Sequence, residues 1–424
     1  MIRFLIKGLI RDKSRSRLPI LVVTIGVMLT VFMHAYIIGF MGDTIEMNAR
    51  FNNGHVKLMT RAYAENMDQV PNDLALLGVD SLMGELRREY PGIDWSPRIR
   101  FGGLVDSPDE NGETKAQGTA LGMGIDLLTP GTPEIARLNL QKSLVRGHMP
   151  QQSGEVLLSE IFSQKLKVNP GDPVTLIGST MEGGMAMHNF TVAGTLSFGV
   201  EIMDRGTIVA DIGDVQTALQ MADGAGEING YFQSGFYDDE LAGSLSSAFN
   251  DARREDPGEF APMLMPLREQ GGMGIYVTMV GTWSGYISLV FIIAMSLVLW
   301  NAGLLGGLRR YGEIGVRLAM GEEKRHVYGT MIVESVFIGL VGSFIGTAIG
   351  LAFAWYLQEY GISLGEMMKG ASVMFPESLR ARITPQDFYL GFIPGLFSTV
   401  LGTVLSGVGI FRRQTARLFK ELEA

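Results

Sequence analysis

The sequence contains no cysteine. Disulfides and thiol chemistry are therefore excluded, and any folded domain must hold by its core alone. There is no Gly-Lys dipeptide, which rules out a Walker A phosphate loop, and no His-Glu-x-x-His zinc motif. The five histidines (His34, His55, His148, His188 and His326) are scattered. No catalytic residue and no metal site emerges. Charge is also scarce, but only in places. Residues 19–41, 276–308, 328–358 and 386–411 are nearly free of it. Each is long enough to cross a bilayer as a helix, which takes about 20 apolar residues. These spans hold few ionisable groups, chiefly His34 and Glu334, where a proton or ion pathway would need more. A structural pairing explains Glu334 better than a proton relay.

What remains is charged and segregated. The chain has 424 residues and a formal charge of −9, yet basic residues crowd the edges of the apolar segments. Arg3, Lys7, Arg11, Lys13, Arg15 and Arg17 precede the first. Arg309, Arg310, Arg317, Lys324 and Arg325 lie between the second and third, and Arg412, Arg413, Arg417 and Lys420 follow the fourth. The positive-inside rule places all three groups, and both termini, in the cytoplasm. Anionic lipid and topology account for these charges better than nucleic acid does. The first segment is too long for a signal-peptide core, and Phe32–Tyr36 offers no small-residue cleavage site, so it reads as a retained anchor. The fold class is a membrane protein, α-helical with four transmembrane helices, plus an α+β domain outside the cytoplasm between the first and second.

The expected boundaries are an amphipathic surface helix at 1–18 and spans at 19–41, 276–308, 328–358 and 386–411. An outer domain covers 42–275, a cytoplasmic connection 309–327, a short outer loop 359–385 and a tail 412–424. Pro19 suits the first turn of the first span. In the outer domain, Asp80–Tyr90, Ser159–Val168, Ile212–Met221 and Asp239–Arg254 read as helices, with Ser159 and Asp211 as N-caps. Gly118–Ile125, Val156–Leu158, Val174–Ile177, Phe190–Leu196, Thr207–Ala210 and Tyr231–Tyr237 read as strands. Asn169–Asp172 is a turn and Gly178–His188 a loop rich in glycine and methionine.

Small residues recur at four-residue spacing in the spans: Gly281 and Gly285 in the second, Gly342, Gly346 and Gly350 in the third, Gly391 and Gly395 in the fourth. Such faces let helices approach closely where lipid supplies no hydrophobic drive. Packing within one chain and a dimer interface both satisfy them. Within 309–327, Ile314 and Leu318 share a helix face, and Arg310, Glu313 and Arg317 stand at ion-pairing distance along it. Gly321 can end this helix in the left-handed conformation, and Glu322 and Glu323 suit the start of the next. The segment is either a handle joined to the second and third spans or an ordinary basic loop.

The run Glu313-Ile314-Gly315-Val316-Arg317-Leu318-Ala319-Met320-Gly321, followed by Ile332-Val333-Glu334 and a glycine-rich span, resembles the FtsX-like permease domain of MacB/LolC-type ABC transporters. The resemblance covers roughly residues 275–415. Residues 147–194, with Glu155–Leu158, Gly171–Leu176 and Phe190–Gly194, are similar to the family's periplasmic domain, in which a sabre subdomain, here about 145–225, is inserted in a porter subdomain. The resemblance implies a coupling helix, with Arg310, Glu313, Ile314, Gly315, Arg317, Leu318 and Gly321 meeting a separate cytoplasmic P-loop ATPase dimer. ATP and Mg would sit on that partner and no cofactor on this chain. It also implies a bacterial inner-membrane location, a second permease, identical or homologous, and a periplasmic carrier or adaptor. Lipoproteins or other lipophilic envelope molecules are the expected cargo, with MacB-like export or a receptor or scaffold role as alternatives. In the lipoprotein-releasing type a hook binds the carrier. Here it corresponds to Ser179–His188, with Met181, Met185 and Met187 as a soft apolar surface, and a plain hairpin turn fits the same residues.

Overall fold

The computed structural model describes residues 13–199, 201–254, 258–308, 311–363 and 378–412. Two compact units result: a helical one of residues 13–43, 279–363 and 378–412, and an α/β one of residues 44–278. The connection expected at 359–385 falls largely outside the described residues, as do residues 1–12 and the tail 413–424.

The first helix, α1, runs Lys13–Asn48 and ends in a π-turn, Ala49–Asn53. Pro19 stands inside it rather than in its first turn, so residues 13–18 continue the span instead of forming a separate surface helix. In the α/β unit come β1 (Val56–Thr60), α2 (Val79–Glu89), β2 (Ile93–Pro108), β3 (Thr114–Ile125), β4 (Leu144–Gly147), β5 (Glu155–Ser159), α3 (Glu160–Leu166), β6 (Pro173–Ser179) and β7 (Met185–Leu196). They are followed by β8 (Thr207–Asp211), α4 (Ile212–Leu219), β9 (Glu227–Phe232), α5 (Asp239–Ala252) and β10 (Pro262–Pro266).

Strand β2 organises this unit. Its first half, Ile93–Arg98, closes an antiparallel sheet of order β10-β1-β9-β2. Its second half, from Ile99 onward, enters a different arrangement. There β2 pairs β3, β3 pairs β8, β8 pairs β5, β5 pairs β7, β7 pairs β6, and β6 returns to β2. The ring is closed, so this half is a six-stranded barrel with no free edge. Phe101, Val105, Val156, Leu158, Leu176, Phe190, Val192 and Ile208 belong to its core, with Phe162 of α3 and Val215 of α4 packed in. Strand β3 is glycine-rich for a steric reason: a Cβ at Gly118 would stand 2.7 Å from the Phe162 ring, and one at Gly124 2.9 Å from Val215.

Several local expectations need correction. Ser159 has cap-like backbone angles, but its hydroxyl bonds no helix N–H. Asp211 does cap α4, accepting from Gly213 N–H at 2.9 Å. The strand expected at Tyr231–Tyr237 is shifted to Glu227–Phe232. The loop Gly178–His188 is mostly strand. β6 and β7 pair from Ser179↔Met185 back to Pro173↔Thr191, which leaves a tip at 180–184. Met181 packs against the core, whereas Met185 and Met187 are exposed, at 78% and 63%.

In the helical unit, α6 (Met273–Leu308), α7 (Tyr311–Ala319), α8 (Lys324–Tyr360) and α9 (Thr399–Arg412) complete the chain, with α9 preceded by the turn Asp387–Leu390 and a π-turn at Ile393–Ser398. Four of these stretches are long and apolar enough to cross a membrane: Arg17–Asn53, Met273–Leu305, Lys324–Tyr360 and Asp387–Val408. The third begins earlier than 328, and the fourth is interrupted near Pro394. Glycines decide the packing. A Cβ at Gly342, Gly346 or Gly350 would press on Val23, Val27 or Val31 of α1 at 2.7, 2.8 and 3.1 Å. Gly391 and Gly395 meet Val27 as well. These faces are packed within the chain. Gly281 and Gly285 differ: a Cβ on either would meet nothing within 4 Å.

Candidate functional site

The segment that joins α6 to α8 is a compact hook. Ile314 is only 3% exposed and packs, with Leu318, against Val327 and Met331 at the start of α8. This is the shared face that the heptad-like spacing required. Gly315 is buried as well. The helix stops because Gly321 takes φ +93°, a conformation other residues resist. Its N–H donates to Leu318 O at 3.1 Å, and Glu322 N–H donates to Arg317 O at 3.1 Å. The Arg317 guanidinium then crosses the turn. Its Nε and Nη2 donate to the two Glu322 carboxylate oxygens, each at 2.7 Å. Such a two-point clasp fixes orientation as well as distance. The bond from Arg317 also holds the Glu322 carboxyl below its ordinary pKa.

Arg317 thus places its charge across the turn, on Glu322. Glu313 stands in α7, and Arg310 lies outside the described residues. The helix proper covers Tyr311–Ala319, so the expected segment 309–327 is a helix, a turn and the first residues of α8. Opposite its buried face, Val316 and Met320 are left exposed, Met320 at 76%.

A second polar centre was not anticipated. His34 Nδ1 lies 2.8 Å from Asp387 Oδ1, joining α1 to the start of the fourth span, and both are buried. Asp387 also accepts from Thr384 N–H at 2.6 Å and from the Thr384 hydroxyl at 2.8 Å. A Thr three residues before an Asp was the available signal.

A third centre lies in the α/β unit, on the sheet face opposite the apolar core. Lys57 Nζ donates to Glu227 Oε2 at 2.6 Å, and Arg100 Nε stands 3.3 Å from Glu227 Oε1. Arg98, fully buried, pairs with Glu134 at 2.9 Å. Arg137 pairs with Glu134 and Asp94, and its guanidinium lies 3.8 Å from the centre of the Tyr231 ring. Burial pushes the Lys57 ammonium down to about 8. For Glu227 burial works upward, but Arg100 and Lys57 prevail and hold it at about 2. Nearby, Glu46, Arg50, His55, Asp94, Arg137 and Tyr231 line a cleft of about 550 Å³. Period-two alternation at Val56-Lys57-Leu58 and Arg98-Ile99-Arg100 is a strand signal absent from the expectations above, and alternation predicts a solvated second face. Nothing in the spacing reveals that this face is covered. Among the described residues, no group of three or more His, Asp or Glu side chains is placed to hold a metal ion.

Residues 285–415 match the FtsX-like permease C-terminal domain, so this part of the chain is similar to that domain. The chain is similar to an uncharacterised ABC transporter permease of Methanocaldococcus jannaschii, 27% identical over 30% of this chain and 32% of that one. It is similar to the macrolide export ATP-binding/permease protein MacB of Wolinella succinogenes, 29% identical over 18% of this chain and 12% of that one. The lipoprotein-releasing system transmembrane protein LolC of Xylella fastidiosa is 23% identical over 60% of this chain and 63% of its own. The chain spans less than two thirds of the length of these relatives. They place it among the relatives of ABC transporter permeases.

Proposed function

We propose that this chain is the membrane subunit of an ABC transporter. It takes ATP-driven motion from a separate cytoplasmic P-loop ATPase at residues 311–322 and delivers it to the α/β domain on the other side of the membrane. The observation that carries this reading is the hook itself. Ile314 and Leu318 seat α7 on α8, Gly321 sets the turn and Arg317 clasps Glu322. A force applied to α7 is therefore passed to α8 without slack, and the exposed Val316 and Met320 offer the outer face to a partner. The hook lies inside the FtsX-like match. The basic residues around it support a cytoplasmic placement, with both termini on the same side in a bacterial inner membrane.

In this reading the chain has no hydrolase role, and ATP and Mg belong to the partner. The β10-β1-β9-β2 sheet corresponds to the porter subdomain, and the barrel, whose strands span residues 99–211, to the sabre. The cargo is a lipoprotein or another lipophilic envelope molecule, in keeping with the length of the likeness to LolC. Helix α6, with Gly281 and Gly285 uncovered, faces lipid or a second permease. Met185 and Met187 on β7, rather than Met181, are the residues available to a carrier or adaptor. Purification in mild detergent tests the proposal. A P-loop ATPase co-purifies, and Glu313→Lys abolishes its recovery while the chain still folds. Recovery of no ATPase, with complex assembly indifferent to Glu313→Lys, contradicts it.

A further inference from the structure

The carbonyls at the end of a helix carry the negative end of its dipole and lack partners within the helix. At the end of α1 they find two buried cations, Lys57 and Arg98, and a half-buried one, Arg100. Arg98 Nη2 donates to Arg50 O at 3.0 Å and Arg98 Nη1 to Phe51 O at 3.2 Å. Lys57 Nζ donates to Asn52 O at 3.2 Å, and Arg100 Nη2 donates to the same oxygen. The Tyr231 hydroxyl donates to Arg50 O at 3.3 Å. Glu227 and Glu134 neutralise these cations from below. One turn earlier, Glu46 accepts from His55 Nε2 at 2.8 Å, because His55 Nδ1 already accepts from Phe232 N–H at 2.9 Å.

This is an expensive way to end a helix. Burying such charges costs more than an apolar contact of the same size returns, and what buried charge offers in exchange is a defined geometry. The position of the cations is equally specific. Arg98 is the last residue of β2 paired to the sheet and Arg100 is paired to β3 in the barrel. The grip thus falls on the one strand that both halves share, at the point where it passes from one to the other.

We infer that Lys57, Arg98 and Arg100 form a socket that converts displacement of the first spanning helix into movement of the barrel against the sheet. The inference rests on the proposed mechanical function. Apolar packing at the helix end would let it slide, whereas carbonyls held by three cations on two strands move those strands with them. The three cations are positioning residues, so the test must read motion rather than stability.

The absence of native cysteine makes that test direct. Full-length chain is purified with its co-purifying ATPase and spin-labelled at Glu182→Cys on the barrel tip and Arg88→Cys on α2. A control pair, Leu18→Cys and Arg325→Cys, reports on the helical unit. Distances are measured with ADP and with a non-hydrolysable ATP analogue. In the otherwise unchanged protein both pairs shift with nucleotide. With Arg100→Met the control pair still shifts and the barrel pair does not. The charge-neutral double variant Lys57→Met/Glu227→Gln gives the same loss and leaves no fully buried cation without a carboxylate, since Arg100, which also loses Glu227, is about a third exposed; this guards against misfolding of the single variant. A barrel shift that survives in both variants overturns the socket. A control pair that never responds to nucleotide overturns the mechanical function itself, and the socket with it.

Discussion

The two units solve the same problem, bringing backbone close to backbone, by opposite means. The helical unit removes side chains: Gly342, Gly346 and Gly350 let α8 lie against Val23, Val27 and Val31. The α/β unit adds charge: buried Lys57 and Arg98 and half-buried Arg100 are held by Glu227 and Glu134. Small-residue contact suits a medium that offers no hydrophobic drive between helices and makes charge costly. Buried ion pairs require partners fixed by a rigid scaffold, which a closed barrel and a sheet sharing one strand provide.

The largest effect expected from breaking this contrast is at Glu227. Glu227→Ala leaves Lys57 buried, and Arg100 half-buried, without their shared partner and costs about 3–5 kcal/mol of unfolding free energy. The double variant Lys57→Met/Glu227→Gln recovers most of that in the same denaturant titration. The pH dependence has a defined sign. Glu227 falls from 4.5 to about 2 on folding, so the stability it supplies is complete above pH 4.5 and disappears as the pH drops toward 2. Lys57 falls from 10.5 to about 8, so the unfolded chain binds its proton more tightly and stability rises between pH 8 and 10.5. Glu227→Gln removes the acid limb, which thermal melts across pH will register.

A smaller effect is expected in the helical unit. Gly346→Leu forces a side chain against the Thr24 carbonyl and Val27 and costs about 1–3 kcal/mol, whereas Gly285→Leu stays near neutral for the single chain. Melting in detergent separates the two. Equal losses would mean that the Gly285 face is also covered. The smallest stability effect is at the hook: Arg317→Gln removes a partly exposed, solvent-screened ion pair and leaves stability nearly unchanged. Its consequence is for coupling, read as the loss of cargo-dependent ATPase stimulation at unchanged melting temperature.

The spans, the α7 face and the Gly321 stop were legible because apolar length, helical spacing and glycine's left-handed freedom are local properties. Turn chemistry at Asn169–Asp172 and the Asp211 cap were legible for the same reason. The sixteen-residue β2 was missed because it changes sheets midway, and its Trp95-Ser96-Pro97-Arg98 run looks like solvated strand. The barrel was missed because closure depends on β6 returning to β2, some 70 residues away in sequence. The hairpin at 173–191 was read as two strands and a long loop because glycine and methionine mask a continuous pairing. The Arg317–Glu322 clasp has no signal in the spacing along α7, since only the folded turn brings Glu322 within reach. The charge socket left no signal, because covering of a polar face is a tertiary fact.

In the proposed function, motion enters this chain at its hook from a separate ATPase. The most direct measurement is single-cysteine cross-linking in native membranes at Val316→Cys on α7 and Met320→Cys just after it, both exposed, with Gly285→Cys in the span as control. The account predicts a cross-link from 316 and 320, but not from 285, to a P-loop ATPase subunit, altered when ATP is bound. No such adduct from 316 and 320, or an equal one from 285, contradicts it.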